Sequence, residues 1–197
     1  MKSMARSLAA AGFMVCNVSY PSRHYTVATL AADFVMPEIS KCFPGNTAPI
    51  DFVTHSLGGI IARELAATGA ITNFGRVVML SPPSQGSEVV DKLGSLALFR
   101  AVNGPAGLEL GTGPDAVPRQ LGPARFNVGI ITGTHTINPI LSLLIPGPDD
   151  GKVSVQRARL EGMADFIALP VSHPFIMNNR DAIRQTIHFL KFGSFQH

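Results

Sequence analysis

The sequence predicts an α/β fold built on a mainly parallel sheet, and three observations predict it. Strand-like and helix-like stretches alternate along nearly all of the 197 residues, the order that builds parallel sheets flanked by helices. The strand-like stretches are continuous apolar runs, such as Val77-Val78-Met79-Leu80, as strands covered on both faces require. At Thr54-His55-Ser56-Leu57-Gly58-Gly59 an apolar run passes through small residues directly into a helix-like run, which reads as strand, sharp turn and helix.

The elements follow in order. Met4, Leu8 and Ala11 recur at helical spacing, and Gly12 stops that helix. Residues 13–20 read as the first strand. Lys2, Arg6 and the apolar residues after them imitate the layout of a secretion signal, but a helix followed by a strand is the better reading. Residues 26–41 read as a helix bent near Pro37. Residues 50–55 form the second strand, and the helix after the turn ends at Thr68-Gly69. Residues 76–80 form the third strand. From Ser81 the pattern changes to a loop, a short helix from Glu88 and a Gly/Pro-rich stretch without period. An insertion this long in a compact domain is usually functional, so 81–125 reads as a cap or lid on a single domain spanning 1–197. Residues 127–133 and 165–170 form the fourth and fifth strands. A last helix covers 181–192, with Asn179 as its N-cap.

Composition removes several classes of function. The chain is 46% hydrophobic and 15% charged, enough apolar matter for one real core. No apolar run is long enough to cross a bilayer. A net charge of +3 without a Lys/Arg cluster gives no support for nucleic-acid binding. The six histidines show no metal-ligand spacing, and no cofactor is expected. Cys16 lies in an apolar run and reads as a small core residue rather than half of a disulfide.

Chemistry concentrates at three strand ends. Ser56 sits at the tip of the tight turn, where its hydroxyl is exposed and the Leu57 N–H points to where an oxyanion would form. Gly58 and Gly59 supply the small neighbours such a turn needs, while Thr54 stands where a first glycine is usual. Asp150 lies beyond the fourth strand and His173 beyond the fifth. Strand C-termini share one edge of a parallel sheet, so the three converge. His173 is then the general base toward Ser56, and Asp150 orients its imidazole. Asp149 is the fallback acid.

These motifs resemble the small serine esterase/lipase-like group of the α/β-hydrolase superfamily. The resemblance rests on Tyr20-Pro21-Ser22-Arg23, His55 to Gly59, Gly86-Ser87-Glu88, Asp150-Gly151-Lys152-Val153 and Ser172-His173. It implies cleavage of short to medium carboxylic esters through an acyl-serine intermediate, without metal or cofactor. A thioesterase or amidase uses the same three residues, and a non-catalytic or weakly active binding protein is the reading from another class. The group normally begins with an apolar strand ending in His-Gly, whose loop donates the second oxyanion N–H. No stretch before residue 13 matches it. The strands at 13–20 and 50–55 are therefore expected to pair directly, with a homodimer as another way to cover the edge. Chemically, the expectation is a slow esterase, Arg23 as a substitute oxyanion donor, or a fragment of a longer gene product. The expected location is cytoplasmic.

Overall fold

The computed structural model describes all residues, Met1–His197. The sheet has four parallel strands, β1 (Ile50–His55), β2 (Phe74–Leu80), β3 (Val128–Gly133) and β4 (Asp165–Leu169), in the spatial order β1-β2-β3-β4. Each strand lies beside the next in sequence, so every connection is a crossover carrying helix or loop.

The helices are α1 (Lys2–Ala10), α2 (Val27–Thr29), α3 (Met36–Cys42), α4 (Leu57–Ala67), α5 (Glu88–Leu93), α6 (Ala97–Leu108), α7 (Val117–Gln120), α8 (Pro139–Ser142), α9 (Val155–Ala158) and α10 (Arg180–Phe192). A π-helical stretch, Leu30–Val35, joins α2 to α3. Its wide turn ends just before Pro37, whose missing N–H cannot continue an ordinary ladder. Helix α6 breaks at Gly104, where φ is 65°. Any side chain there would strike the Arg23 main chain, so the break sets how closely the insertion approaches the residue 23 loop.

The sheet is covered on both faces, as its apolar strands require. Val78 and Leu80 point toward α1 and α10 and pack with Met4, Leu8, Ile131 and Phe189. Val77 and Met79 point the other way, onto Ala158 and Leu160 beside Val128 and Ile130. On that second side Ile60, Ile61 and Leu65 of α4 meet Val27, Leu30, Val35 and Ile39. The period-two alternation along β2 thus divides its side chains between two cores.

Two expectations are corrected. Residues 13–20 form no strand and do not pair with β1, so the sheet has four strands rather than five. The segment runs extended, with Cys16, Val18 and Tyr20 turned inward and Asn17 and Ser19 outward, a strand's alternation without a partner. Its main chain from residue 14 to 19 makes no hydrogen bond to the protein. The cost is tolerable because these groups border open cavities that water reaches. Cys16 is joined to Cys42 in a disulfide that ties this segment to α3. The apolar run around Cys16 gave no sign of that bond, because the partner lies 26 residues away beyond a loop and two helical stretches.

Arg63 is a feature the sequence reading passed over. It is buried on α4 and donates to three main-chain oxygens, of Ser84 at 2.9 Å, Pro118 at 2.8 Å and Gly122 at 2.7 Å. All three belong to the 81–125 segment, so one side chain fastens that segment to α4.

Candidate active site

Local geometry at the strand–helix turn comes from Ser56. It has φ 53° and ψ −122°, a conformation that costs a non-glycine residue free energy and persists only where neighbours hold it. The holding contacts are visible. Ser56 N–H donates to the Leu80 oxygen at 2.9 Å, and Gly59 N–H donates to the Ser56 oxygen at 2.9 Å. A Cβ on Gly59 would lie 3.1 Å from Pro82 and 3.3 Å from Met79 Sδ. A Cβ on Gly58 would lie 3.4 Å from Thr54 Cβ and 3.3 Å from the Tyr20 hydroxyl. Thr54 is therefore accommodated at the position of the usual first glycine because Gly58 leaves it room.

The structure brings Ser56, His173 and Asp150 into one line of hydrogen bonds. His173 Nδ1 lies 2.8 Å from Asp150 Oδ2, and His173 Nε2 lies 3.0 Å from Ser56 Oγ. Since a carboxylate only accepts, Nδ1 carries the proton, and Nε2 is left to accept from the Ser56 hydroxyl. His173 and Asp150 are buried. Burial alone would raise the Asp150 pKa. The His173 hydrogen bond and charge, the nearby Ser81 hydroxyl and the Val153 N–H outweigh it and hold the carboxylate below its ordinary range. Asp150 Oδ1 also accepts from the Lys152 and Val153 amides at 3.0 and 2.9 Å. Asp149 faces elsewhere, onto the Ser142 hydroxyl and the Gly151 N–H.

Gly86-Ser87-Glu88, weak as a motif, has a structural role beside these residues. Gly86 has φ 88°, and any Cβ there would strike the Gly111 main chain. Ser87 Oγ donates to the Lys152 oxygen at 3.1 Å, and Glu88 pairs with Arg157 at 2.6 Å. The motif locks the insertion against the loop that carries Asp150.

The Leu57 N–H begins α4, where no carbonyl four residues earlier is placed to accept it. Arg23 is exposed, forms no ion pair, and lines one cavity together with Ser56 and Leu57. That cavity, about 580 Å³, is walled by apolar residues of the insertion, among them Val90, Leu93, Phe99 and Val102, with Leu141 of α8 opposite.

His55 belongs to the site although the sequence reading gave it no role. Its signal was its place next to Ser56. The ring lies 4.8 Å from the His173 ring, and Nε2 donates to the His173 main-chain oxygen at 3.0 Å. Desolvation first, then the neighbouring His173, lowers its pKa from 6.5 to about 4, so it is neutral at pH 7. The unfolded chain takes up a proton at His55 between pH 6.5 and 4 that the folded chain refuses. Stability from this residue is thus present above pH 6.5 and lost as pH falls toward 4, by at most about 3 kcal/mol for the half-buried ring. Urea unfolding of the wild type and His55→Gln at pH 7.5 and 4.5 checks this. The variant is expected to lose less stability on acidification, and equal losses would remove His55 as a source of the slope.

No family model and no curated protein matches the sequence. Similar solved structures exist. The mature form of the Bacillus licheniformis lipase BlEst2 superposes with TM-score 0.65 at 22% identity, over 87% of this chain and 76% of that one. The phospholipase PlaB from Legionella pneumophila gives 0.71 at 17% identity, over 98% of this chain and 56% of that one, so this chain spans little more than half of PlaB. A monoacylglycerol lipase from Paleococcus ferrophilus gives 0.55 at 16% identity, over 97% of this chain and 88% of that one. With a parallel sheet covered on both faces, these likenesses show that the chain has the fold of the α/β-hydrolase superfamily.

Proposed function

We propose that this protein hydrolyses carboxylic esters of short to medium acyl chains, with Ser56 as nucleophile, His173 as general base and Asp150 as its orienting carboxylate. The observation that carries the reading is the line from Ser56 Oγ through His173 to Asp150, with hydrogen bonds of 3.0 and 2.8 Å at the strained turn. Ser56 Oγ attacks the ester carbonyl carbon as its proton passes to His173 Nε2. The carbonyl π pair moves onto oxygen, which the Leu57 N–H and the start of α4 stabilise. Collapse of this intermediate expels the alkoxide, which takes the proton from His173. Water activated by the same imidazole then releases the acid and restores Ser56. The Arg23 guanidinium, on the same cavity, is the second oxyanion donor in this reading.

The apolar cavity under the 81–125 segment receives the acyl chain, which makes that segment a cap in function. No helix is long and apolar enough to cross a membrane. The Cys16–Cys42 disulfide favours an oxidising compartment over the cytoplasm expected from the sequence.

A panel of p-nitrophenyl esters of two to sixteen carbons tests the substrate side. The expected result is highest kcat/KM for a medium chain, and Val90→Trp is expected to shift that optimum to shorter chains. An optimum unmoved by Val90→Trp would place the acyl chain elsewhere. In the same assay Arg23→Ala is expected to lower kcat with KM nearly unchanged, and an unchanged kcat would take Arg23 out of the oxyanion site.

A further inference from the structure

His173 approaches Ser56 from across the sheet. Ser56 follows β1 and His173 lies in the loop after β4, and these are the two edge strands in the order β1-β2-β3-β4. A base held only by that loop would inherit every small displacement of β2, β3 and the loop itself. Transfer of the Ser56 proton tolerates little of this, since a misplacement of about 1 Å costs about a hundredfold in rate. A direct tie between the loop and the end of β1 removes that dependence.

His55 makes that tie. Val53 packs into the α1/α10 core, so His55, two residues on, turns to the same face. Its Nε2–H donates to the His173 main-chain oxygen at 3.0 Å, and no other donor reaches that oxygen. The His173 N–H donates to the Asp150 main-chain oxygen at 2.9 Å. The main chain of His173 thus repeats what its ring does, with one bond to Asp150 and one to the end of β1. His55 and Ser56 are neighbours in the chain, so one short piece of backbone presents the hydroxyl and grips the imidazole's own residue. With its pKa lowered to about 4, chiefly by desolvation, His55 is neutral near pH 7. The charge that His173 gains during attack therefore meets no second charge on the ring beside it. Packing alone does not call for a histidine here. A phenylalanine would fill a similar volume against the His173 ring, 4.8 Å away, and leave the carbonyl without a donor.

We propose that His55 is a positioning residue for His173: its bond to the His173 carbonyl sets the distance between His173 Nε2 and Ser56 Oγ, 3.0 Å in this structure. It acts through His173 and not on the substrate. Its effect on turnover rests on the esterase reading, whereas the geometry it fixes can be read without substrate.

The test compares His55→Phe, which keeps an aromatic ring and removes the donor, with His55→Gln, whose amide nitrogen reaches the place of the imidazole Nε2. On a p-nitrophenyl ester, His55→Phe is expected to lower kcat by about 10- to 100-fold with KM within about twofold of wild type, and His55→Gln to recover most of that loss. In proton NMR without substrate, the His173 Nδ1 proton bonded to Asp150, assigned by its loss in His173→Ala, is expected far downfield in wild type and His55→Gln. In His55→Phe it is expected to be broadened by exchange. If His55→Phe does not fold, His55→Asn takes its place, since its amide is one methylene too short to reach the carbonyl. Equal loss of kcat in His55→Gln and the donor-free variant, a loss carried by KM, or an unbroadened Nδ1 signal in the donor-free variant would overturn the proposal. Wild-type protein without Ser56-dependent turnover would instead remove the esterase reading, and the Nδ1 signal would then decide the positioning role by itself.

Discussion

Ser56→Ala and His173→Ala are each expected to lower ester turnover by on the order of 10⁴–10⁶-fold, with Asp150→Asn close to 10⁴-fold. The size follows from how the three are joined. Removing Ser56 Oγ removes the atom that attacks. Removing His173 leaves a hydroxyl with no acceptor for its proton at 3.0 Å. Replacing Asp150 by Asn presents an amide to His173 Nδ1, favours the wrong tautomer and turns Nε2 from an acceptor into a donor. The double variant Ser56→Ala, His173→Ala should be no slower than either single one, because the residues act as a unit. Asp149→Asn should leave turnover within a few fold and act on stability instead, since that carboxylate holds Ser142 and Gly151. Active-site-titrated rates on a p-nitrophenyl ester decide the matter. Ser56→Ala protein retaining activity within tenfold of wild type, or Asp149→Asn failing where Asp150→Asn does not, would require a different nucleophile or a different acid.

Arg63→Met is expected to cost about 4 kcal/mol of stability, because hydrogen bonds to a charged donor are worth about 1.5–3 kcal/mol each, and of the three carbonyls that lose theirs two are buried and the third, of Gly122, is partly open to water. Burial lowers the Arg63 pKa to about 10, so the guanidinium remains charged at neutral pH. Its charge is met by main-chain dipoles rather than by a carboxylate. In a chain of 197 residues such a loss lowers Tm by about 10 °C. The carbonyls belong to residues 84, 118 and 122, so the insertion should loosen before the sheet does. Calorimetry combined with limited proteolysis reads both effects. A Tm within 2 °C of wild type would show that water replaces the guanidinium at no cost.

Much of the fold could be read before its coordinates, for a specific reason. The four strands that form are apolar on both faces and sit next to their sequence neighbours, so local pattern and tertiary position agree. Residues 13–20 carry the same pattern and do not become a strand. Pairing belongs to two segments, and nothing in the local residues says whether the second edge is within reach. Ser56 and His173 could be picked out because each closely follows an apolar run, whereas Asp150 lies beyond α8, well past the end of β3, and only its place in the order Ser, Asp, His pointed to it. Choosing Asp150 over Asp149 was less secure, since a single residue separates them and only loop geometry distinguishes their directions. His55 and Arg63 were hidden differently. A histidine inside a turn motif and an arginine inside a helical run look like ordinary members of their elements. Their partners are main-chain oxygens, 118 residues away for His55 and 21 to 59 away for Arg63, which no residue pattern records.

The Cys16–Cys42 bond acts on a segment with no main-chain hydrogen bonds of its own between residues 14 and 19. A strand inside a sheet is held along its whole length, so one weak spot changes little. Here a covalent rivet takes the place of a zipper, and Val18 and Tyr20 add the packing of their side chains against the core beside α4. Reducing that bond is therefore expected to loosen residues 12–25, slung between α1 and α2, before the sheet itself.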